Sequence, residues 1–125
     1  LLFLIYINDL PNVSDKLNFF LFADDTNIYF EADNLQELEK VVNNEIKHLN
    51  LWLKVNRLSL NISKTNFLIF HSHQRKLNYN VTIKLCKKAL SQKEHLKYLG
   101  VIVDSHWNWK HHIKSITTKI SRRLA

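Results

Sequence analysis

Four kinds of residue are scarce in this 125-residue sequence, which has no methionine and one residue each of glycine, proline and cysteine. The single cysteine, Cys86, excludes an intramolecular disulfide framework and fits a reducing compartment. Tight turns must be made mainly by other residues, chiefly asparagine. Because methionine is absent and the first residue already lies in an apolar run, we expect a piece of a longer product.

Long hydrophobic runs are also missing. The apolar run over residues 1–7 is much shorter than the roughly 20 residues that a membrane-spanning helix needs. No basic segment precedes it, which argues against a signal peptide. The length suits one domain, and 46% hydrophobic residues can fill a core. We therefore expect a folded domain with no membrane segment.

Acidic residues are nearly absent from the second half of the chain. Residues 1–62 contain five Lys/Arg and nine Asp/Glu, whereas residues 63–125 contain thirteen and two. Tyr98, Trp107 and Trp109 lie among the basic residues, and such a surface can neutralise phosphates. Nucleic acid is the expected partner, and a solubilising lysine-rich surface is the alternative. The candidate nucleic-acid-binding residues are Lys97, Lys110, Lys114, Lys119, Arg122 and Arg123.

Two adjacent carboxylates, Asp24 and Asp25, lie between two β-like runs at residues 17–22 and 26–30. The alternation predicts a hairpin with the acid pair at its tip. Its expected apolar faces consist of Leu17, Phe19 and Leu21 and of Thr26, Ile28 and Phe30. Both strands are expected to be half or wholly buried. Two like charges at a turn repel, and a hard cation such as Mg²⁺ would compensate them. The alternative is an ordinary solvated Asp-Asp turn.

Periodicity predicts an α+β fold with an antiparallel sheet. Apolar residues recur at helical spacing over residues 35–55, and Asn34 with Glu37 forms a capping box before them. This helix is expected to pack on the sheet that bears the hairpin. Further strands are expected at residues 66–70, 81–85 and 98–103. A basic helix is expected from Trp109, with one apolar side made by Ile113, Ile116 and Ile120.

Ordered blocks of the chain resemble the reverse transcriptases of non-LTR (LINE-type) retrotransposons. The hairpin carries their aromatic-Ala-Asp-Asp motif at residues 22–25, and residues 1–11 resemble the helix before it. The following blocks are Trp-x-x-x-Asn-x-Leu-x-Leu-Asn-x-x-Lys-Thr at 52–65, Lys-Tyr-Leu-Gly-Val at 97–101 and Trp-x-x-His-Ile at 109–113. Their order and spacing make the resemblance specific. It implies a palm-type antiparallel sheet packed by helices, with the C-terminal part of the palm in residues 1–105 and a basic helix leading into the thumb in residues 106–125.

The implied activity is RNA-directed DNA synthesis with two Mg²⁺ ions, an RNA template, a DNA primer and deoxynucleoside triphosphates. The implied location is intracellular, either nuclear or cytoplasmic. Asp24 is expected to bind metal directly and Asp25 to be a second acid. Phe22 and Ala23 are expected to pack the strand and leave room near the primer terminus. The family's third metal-binding aspartate and its Gly-rich template motif would precede Leu1, so this piece alone is expected to be inactive.

Three more residues follow from the resemblance. Lys64 matches the fourth palm motif, where a lysine would protonate or electrostatically assist the departing pyrophosphate. The alternative is an exposed turn lysine. Leu99 and Gly100 resemble the hairpin that supports the primer, with a plain strand kink as the alternative.

Other interpretations remain. A degenerate retrotransposon remnant would act at most as a basic nucleic-acid-binding module, and a group II intron reverse transcriptase or an RNA-dependent RNA polymerase would share the palm pattern. Zinc is not expected, because the nearest histidine pairs, at residues 71 and 73 and at 111 and 112, lie far from Cys86. Trp52 and Trp109 are predicted to be packing residues rather than base-stacking platforms.

Overall fold

The computed structural model describes all 125 residues, which divide into two compact units. The first, which we call the hairpin unit, comprises Leu1–Lys64 and Tyr79–Leu90. The second, which we call the basic unit, comprises Thr65–Asn78 and Ser91–Ala125. Each contains helix and strand, which agrees with the expected α+β class. The strands form four two-stranded sheets, three antiparallel and one parallel. The palm-type packing of one larger sheet stays a prediction.

The hairpin unit begins with two short helices where one was expected. Helix α1 spans Leu2–Ile7, and a 3-10 helix spans Leu10–Val13. Pro11 lies at the start of the second helix and has no backbone N–H to continue a preceding turn. Ile7 and Leu10 are buried, whereas residues 1–6 are exposed.

A β-hairpin follows. Strand β1 spans Asn18–Phe22 and strand β2 spans Asp25–Tyr29, paired antiparallel with Phe22 opposite Asp25. The hairpin itself is confirmed. Its second strand begins one residue earlier than expected, so the turn is displaced by one residue toward the N terminus.

The expected burial of this hairpin is only partly correct. Leu17 is buried, and Phe19 and Leu21 are half-buried because they pack against the core. On the expected face of the second strand, Thr26 and Ile28 are exposed and Phe30 is half-buried, so the predicted burial is wrong for the first two. The core contacts β1 and leaves its neighbour uncovered.

Helix α2 spans Leu35–Val55, as periodicity predicts. Asn34 Oδ1 accepts a hydrogen bond from the Glu37 backbone N–H at 2.7 Å, which satisfies one of the unpaired donors of the first turn. Toward the C-terminal end of the helix, Leu49 and Leu53 of its apolar stripe are buried. They form the core together with Ile7 and Leu10, and the half-buried residues packed on this core include Phe19 and Leu21. Burying one such leucine contributes about 1.5–3 kcal/mol.

The second segment of the hairpin unit lies along α2. Val81, Ile83 and Leu85 alternate as predicted and are buried. Only Lys84–Leu85 forms a strand, β4, which pairs with β5 at Lys88–Ala89.

The predicted strand over residues 81–85 is short because side chains of α2 take the place of a neighbouring strand. Glu39 Oε2 accepts from the Thr82 backbone N–H at 2.8 Å. Asn43 donates from Nδ2 to the Thr82 carbonyl and accepts at Oδ1 from the Lys84 N–H, both at 2.8 Å. The N–H and carbonyl of Thr82 and the N–H of Lys84 thus find partners on α2 instead of on a neighbouring strand.

The basic unit contains two small sheets and one helix. Strand β3 at Asn66–Phe67 pairs parallel with β6 at Ser91–Gln92. Strand β7 at His95–Tyr98 pairs antiparallel with β8 at Val101–Asp104. The strand expected at residues 66–70 is therefore only two residues long. The single strand expected at 98–103 is wrong, because its residues divide between the end of β7, a turn and β8.

Helix α3 spans Lys110–Leu124. The expected first residue, Trp109, is instead its N-cap, with a left-handed backbone at φ 61°. No residue of α3 is buried, and the predicted apolar side made by Ile113, Ile116 and Ile120 is exposed. None of the helices has the length and apolar character that crossing a bilayer requires.

Candidate active site

The tip of the β1–β2 hairpin is a two-residue turn formed by Ala23 and Asp24, whereas the sequence placed the acid pair there. Ala23 has a positive φ of 51°, and Asp24 does not have a positive φ. A positive φ at the first turn residue alone is the pattern of a type II′ turn. Asp25 is the first residue of β2. One carboxylate thus lies in the turn and the other on the strand.

Both carboxylates are exposed. No hydrogen-bond donor or cation of the chain engages either of them. Their oxygens are therefore free to bind a ligand. Two carboxylates are the usual protein contribution to a Mg²⁺ ion that also binds substrate phosphates, so this donor set fits that metal.

The residues just before the acids are exposed as well. Phe22 is 60% exposed, and Ala23 is exposed in the turn. The expectation of a buried hairpin is wrong at its tip, where Phe22 is largely exposed. Their supporting role near a primer terminus stays a prediction.

Lys64 is the last residue of the first segment of the hairpin unit, which also contains Asp24 and Asp25. Its backbone N–H donates to the Asn61 carbonyl at 3.1 Å, and the residue is exposed. Strand β3 begins two residues later, at Asn66, so the expected position ahead of a strand is correct. A role in catalysis stays a prediction.

Leu99 and Gly100 form the two-residue turn between β7 and β8 in the basic unit. Both have positive φ, at 46° and 85°, as a type I′ hairpin turn requires. A Cβ at Gly100 would meet nothing within 4 Å. The glycine therefore serves the backbone conformation, and the alternative of a plain strand kink is wrong. Primer support by this turn stays a prediction.

The sequence model of the family described as reverse transcriptase (RNA-dependent DNA polymerase) matches residues 1–103. The chain belongs to the reverse transcriptase family. The match includes the hairpin tip, Lys64 and the Leu99–Gly100 turn, and it ends before Trp107 and α3. No curated protein and no solved structure is significantly similar to the chain. The assignment to the family is confirmed, and the non-LTR type stays a prediction.

A buried carboxylate that sequence reasoning missed positions the hairpin of this reverse transcriptase chain. Ser14 Oγ donates to Glu45 Oε2 at 2.7 Å and accepts from the backbone N–H groups of Lys16 and Leu17, each at 3.2 Å. The Ser14 hydrogen bond lowers the pKa of Glu45. The residues before β1 are thereby held on α2. A glutamate beside Ile46, inside the apolar stripe of the helix, was the available signal.

Asp104 is a second buried carboxylate without a role in the sequence reasoning. Its Oδ1 accepts from the backbone N–H groups of His106 at 3.0 Å and Asn108 at 3.1 Å, and its Oδ2 accepts from that of Trp109 at 2.9 Å. Burial alone would raise the pKa of Asp104, but these three donors outweigh it and the pKa is lowered. Asp104 therefore organises the loop that leads into α3.

The basic cluster predicted from sequence lies in the basic unit. Lys97 is on β7 opposite Ile102. The other five candidates, on α3, are Lys110, Lys114, Lys119, Arg122 and Arg123, and the helix has no acidic residue. His112, in the Trp-x-x-His-Ile element, accepts at Nδ1 from the Ile102 backbone N–H at 3.2 Å, which ties α3 to β8.

Imidazole rings cluster in the same unit. His71 and His73 contact His106 with ring centroids 4.3 and 4.1 Å apart, and His95 stacks on His111 at 4.3 Å. No group of three or more His, Cys, Asp or Glu side chains in the chain has an arrangement that could hold a metal ion.

The two tryptophans predicted to be packing residues differ. Trp52 is half-buried against the core of the hairpin unit, as expected. Trp109 is 41% exposed, so the prediction is wrong for it. Its backbone is left-handed, and its N–H donates to Asp104 Oδ2 at 2.9 Å.

Proposed function

We propose that the chain is part of an RNA-directed DNA polymerase of the non-LTR retrotransposon type, with the C-terminal part of the palm in residues 1–105 and the start of the thumb in residues 106–125. One observation carries the proposal. A chain of the reverse transcriptase family presents two adjacent, unengaged carboxylates at the tip of a Phe-Ala-Asp-Asp hairpin. Its partners would be an RNA template, a DNA primer and deoxynucleoside triphosphates.

Asp24 and Asp25 would hold Mg²⁺, with Asp24 as the direct ligand and Asp25 as the second acid. When bound, the metal would supply stabilisation of negative charge on phosphate oxygens. Because the chain has no cluster of three ligating side chains, we propose that a further carboxylate from another reverse transcriptase motif completes the site. The 125-residue chain alone would then be inactive in synthesis.

The remaining candidates have roles that need no metal. Lys64, which is exposed, would assist the departing pyrophosphate by charge or by proton donation. The turn at Leu99 and Gly100 would support the primer strand. The cations of β7 and α3 would contact phosphates of the template and primer.

Metal binding can be tested on the chain itself. In a titration with paramagnetic Mn²⁺, we expect the backbone amide signals of residues 22–26 to broaden first. Asp24→Asn should abolish this broadening. Asp15→Asn, which removes an exposed carboxylate before β1, is the matched control and should leave it unchanged. Broadening that is the same in Asp24→Asn as in the wild type would contradict the metal assignment.

Catalysis requires a polypeptide that carries this chain together with the other reverse transcriptase motifs. In primer extension on an RNA template, Asp24→Asn should lower the rate at least about 100-fold, because a group that stabilises developing charge typically contributes that much. Asp15→Asn should have no effect. If Mg²⁺-dependent synthesis survives Asp24→Asn, the proposed function of the acid pair is wrong.

A second candidate function rests on the charge of the basic unit. Nine Lys/Arg and two Asp/Glu belong to that unit, which suits binding to nucleic acid without chemistry. A degenerate remnant of this kind would bind nucleic acid and yet fail in primer extension even when joined to the other motifs.

A further inference from the structure

The loop between β8 and α3 presents two large aromatic rings to solvent. Trp107 is 53% exposed and Trp109 is 41% exposed. Both have left-handed backbones, with φ of 55° and 61°, a conformation that residues other than glycine and asparagine rarely adopt. Something in the fold must therefore hold this loop in place.

Asp104 holds it. The carboxylate accepts the three backbone hydrogen bonds from His106, Asn108 and Trp109, and the Asp104 carbonyl accepts from the Trp107 N–H at 3.2 Å. On the opposite segment, the His71 N–H donates to the Ser105 carbonyl at 3.1 Å. The aromatic loop is thus ordered by the chain's own hydrogen bonds and needs no ligand to form.

Trp107 already stacks on one side. Phe70 lies against it with ring centroids 4.5 Å apart and planes inclined by 17°. The Trp109 ring is tilted against that of Trp107, with centroids 6.0 Å apart and planes inclined by 55°. More than half of Trp107 remains exposed, so its indole is accessible to a further ring.

The unit that carries the stack is positively charged, with nine Lys/Arg and two Asp/Glu. Of the two acidic residues in the basic unit, Asp104 is buried and committed to backbone donors, so Glu94 is the one exposed carboxylate. Lys110 follows Trp109 directly and begins α3, which carries five cations and no acid. Exposed aromatic rings in a unit rich in cations are the combination that binds single-stranded nucleic acid.

We infer that Trp107, backed by Phe70, is a stacking platform for a nucleobase of single-stranded nucleic acid. A strand rather than a duplex is required because paired bases already stack on one another and offer no open face. The inference rests on the proposed function for the presence of a nucleic-acid strand, and it does not depend on the acid pair or on synthesis. Residue 107 lies outside the part of the chain that matches the family.

The test is a binding titration of the full chain with a fluorescent oligothymidylate of about 12 nucleotides. Trp107→Ala should weaken binding about 5- to 150-fold, the range found for loss of one base-stacking contact. Trp107→Phe should restore most of the affinity. Phe20→Ala, which removes an aromatic ring 55% exposed in the hairpin unit, is the matched control and should change the affinity less than twofold.

A second ligand separates stacking from charge. An abasic oligonucleotide of the same length keeps the phosphates but has no bases, so wild type and Trp107→Ala should bind it equally. For oligothymidylate, the dependence of affinity on salt between about 50 and 200 mM should have the same slope in both proteins, because stacking releases no counterions.

Three results would overturn the inference. Trp107→Ala could bind oligothymidylate like wild type, it could lose affinity for the abasic strand to the same extent, or Trp107→Phe could fail to restore binding. Self-association of the chain that Trp107→Ala abolishes and oligothymidylate does not displace would assign the surface to a second copy instead. The Mn²⁺ titration reports on Asp24 and the oligothymidylate titration reports on Trp107, so failure of the proposed catalytic site and failure of the platform are distinguishable.

Discussion

The two units contain equal numbers of basic residues, nine Lys/Arg each, yet the hairpin unit is formally neutral and the basic unit has a net charge of +7. The difference lies entirely in the carboxylates, nine in the first unit and two in the second. Lysine content alone would therefore not distinguish the two units. A phosphate-binding surface depends on the near absence of acids as much as on the presence of cations.

Each unit also buries one carboxylate, and the two serve different purposes. Glu45 accepts from the Ser14 hydroxyl and so joins a loop to a helix 31 residues away. Asp104 accepts from backbone N–H groups two to five residues ahead and so shapes its own loop. The hairpin unit positions its exposed acids by long-range contacts, and the basic unit positions its exposed tryptophans by a local one.

The largest effect on stability should come from the core of the hairpin unit. Leu49→Ala is expected to cost about 2–5 kcal/mol in the free energy of unfolding, because it leaves a cavity among Ile7, Leu10 and Leu53. The measurement is urea denaturation followed by circular dichroism. Ile120→Ala, on the exposed side of α3, is the control and should stay within about 0.5 kcal/mol. Similar losses for both variants would mean that the side of α3 is covered in solution.

The turn of the basic unit should give the next largest effect. Gly100→Ala is expected to cost about 1–2 kcal/mol, because a Cβ disfavours the φ of 85° although no atom obstructs it. Gly100→Asn should cost less, since asparagine tolerates this backbone region. Thermal unfolding of the wild type, Gly100→Ala and Gly100→Asn would measure these differences in stability. Equal losses for alanine and asparagine would point to a steric cause.

Acid should destabilise both units, each through one carboxylate. The pKa of Glu45 lies below its ordinary 4.5, chiefly because of the Ser14 hydrogen bond. Burial alone would raise the pKa of Asp104, but the hydrogen bonds from the backbone N–H groups outweigh burial, so the pKa lies below its ordinary 3.8. Since both folded pKa values lie below the unfolded ones, the stabilisation is fully present above the unfolded values and is lost as the pH falls through the folded ones.

The unfolding free energy should therefore decline as the pH is lowered from about 5 toward 2. Glu45→Gln and Asp104→Asn should each make this decline shallower, and the double variant should make it shallower still. Hydrogen exchange read separately for the two units would assign each contribution. An unchanged pH dependence in the double variant would show that other groups cause the acid sensitivity.

The smallest effect is expected at the hairpin tip. Ala23→Gly should stabilise the chain by up to about 1 kcal/mol, because glycine removes the cost of the positive φ but adds freedom to the unfolded chain. Ala23→Val should destabilise it, since a β-branched residue tolerates that φ less well. Denaturation midpoints would measure both changes. Stabilisation by valine would show that residue 23 does not have a positive φ in solution.

Regular elements with a strong period were predictable. Helix α2 has both predicted ends, because its apolar stripe and the Asn34 cap are encoded within the segment itself. The hairpin and the alternation of Val81, Ile83 and Leu85 were predictable for the same reason. The two acids were found because they are adjacent in sequence.

Predictions failed where a distant or irregular contact decides the backbone. The strand expected at residues 81–85 is mostly lost because Glu39 and Asn43 take its hydrogen bonds. The strand expected at 98–103 breaks because Leu99 accepts a positive φ that its side chain disfavours. Trp109 was expected to be a packing residue and is 41% exposed, because it lies in the loop that Asp104 organises, which no hydrophobic period reveals.

The sequence by itself determined the family, the long helix, the adjacency of Asp24 and Asp25 and the unequal distribution of carboxylates along the chain. These properties are local or additive, so they can be read without knowing which segments meet. Only the tertiary structure decided that the tip carboxylates are unengaged, that Ser14 meets Glu45 and that Phe70 supports Trp107. Those facts depend on contacts between residues far apart in the chain, whose pairing is selected by the packing of the whole unit rather than by any one segment.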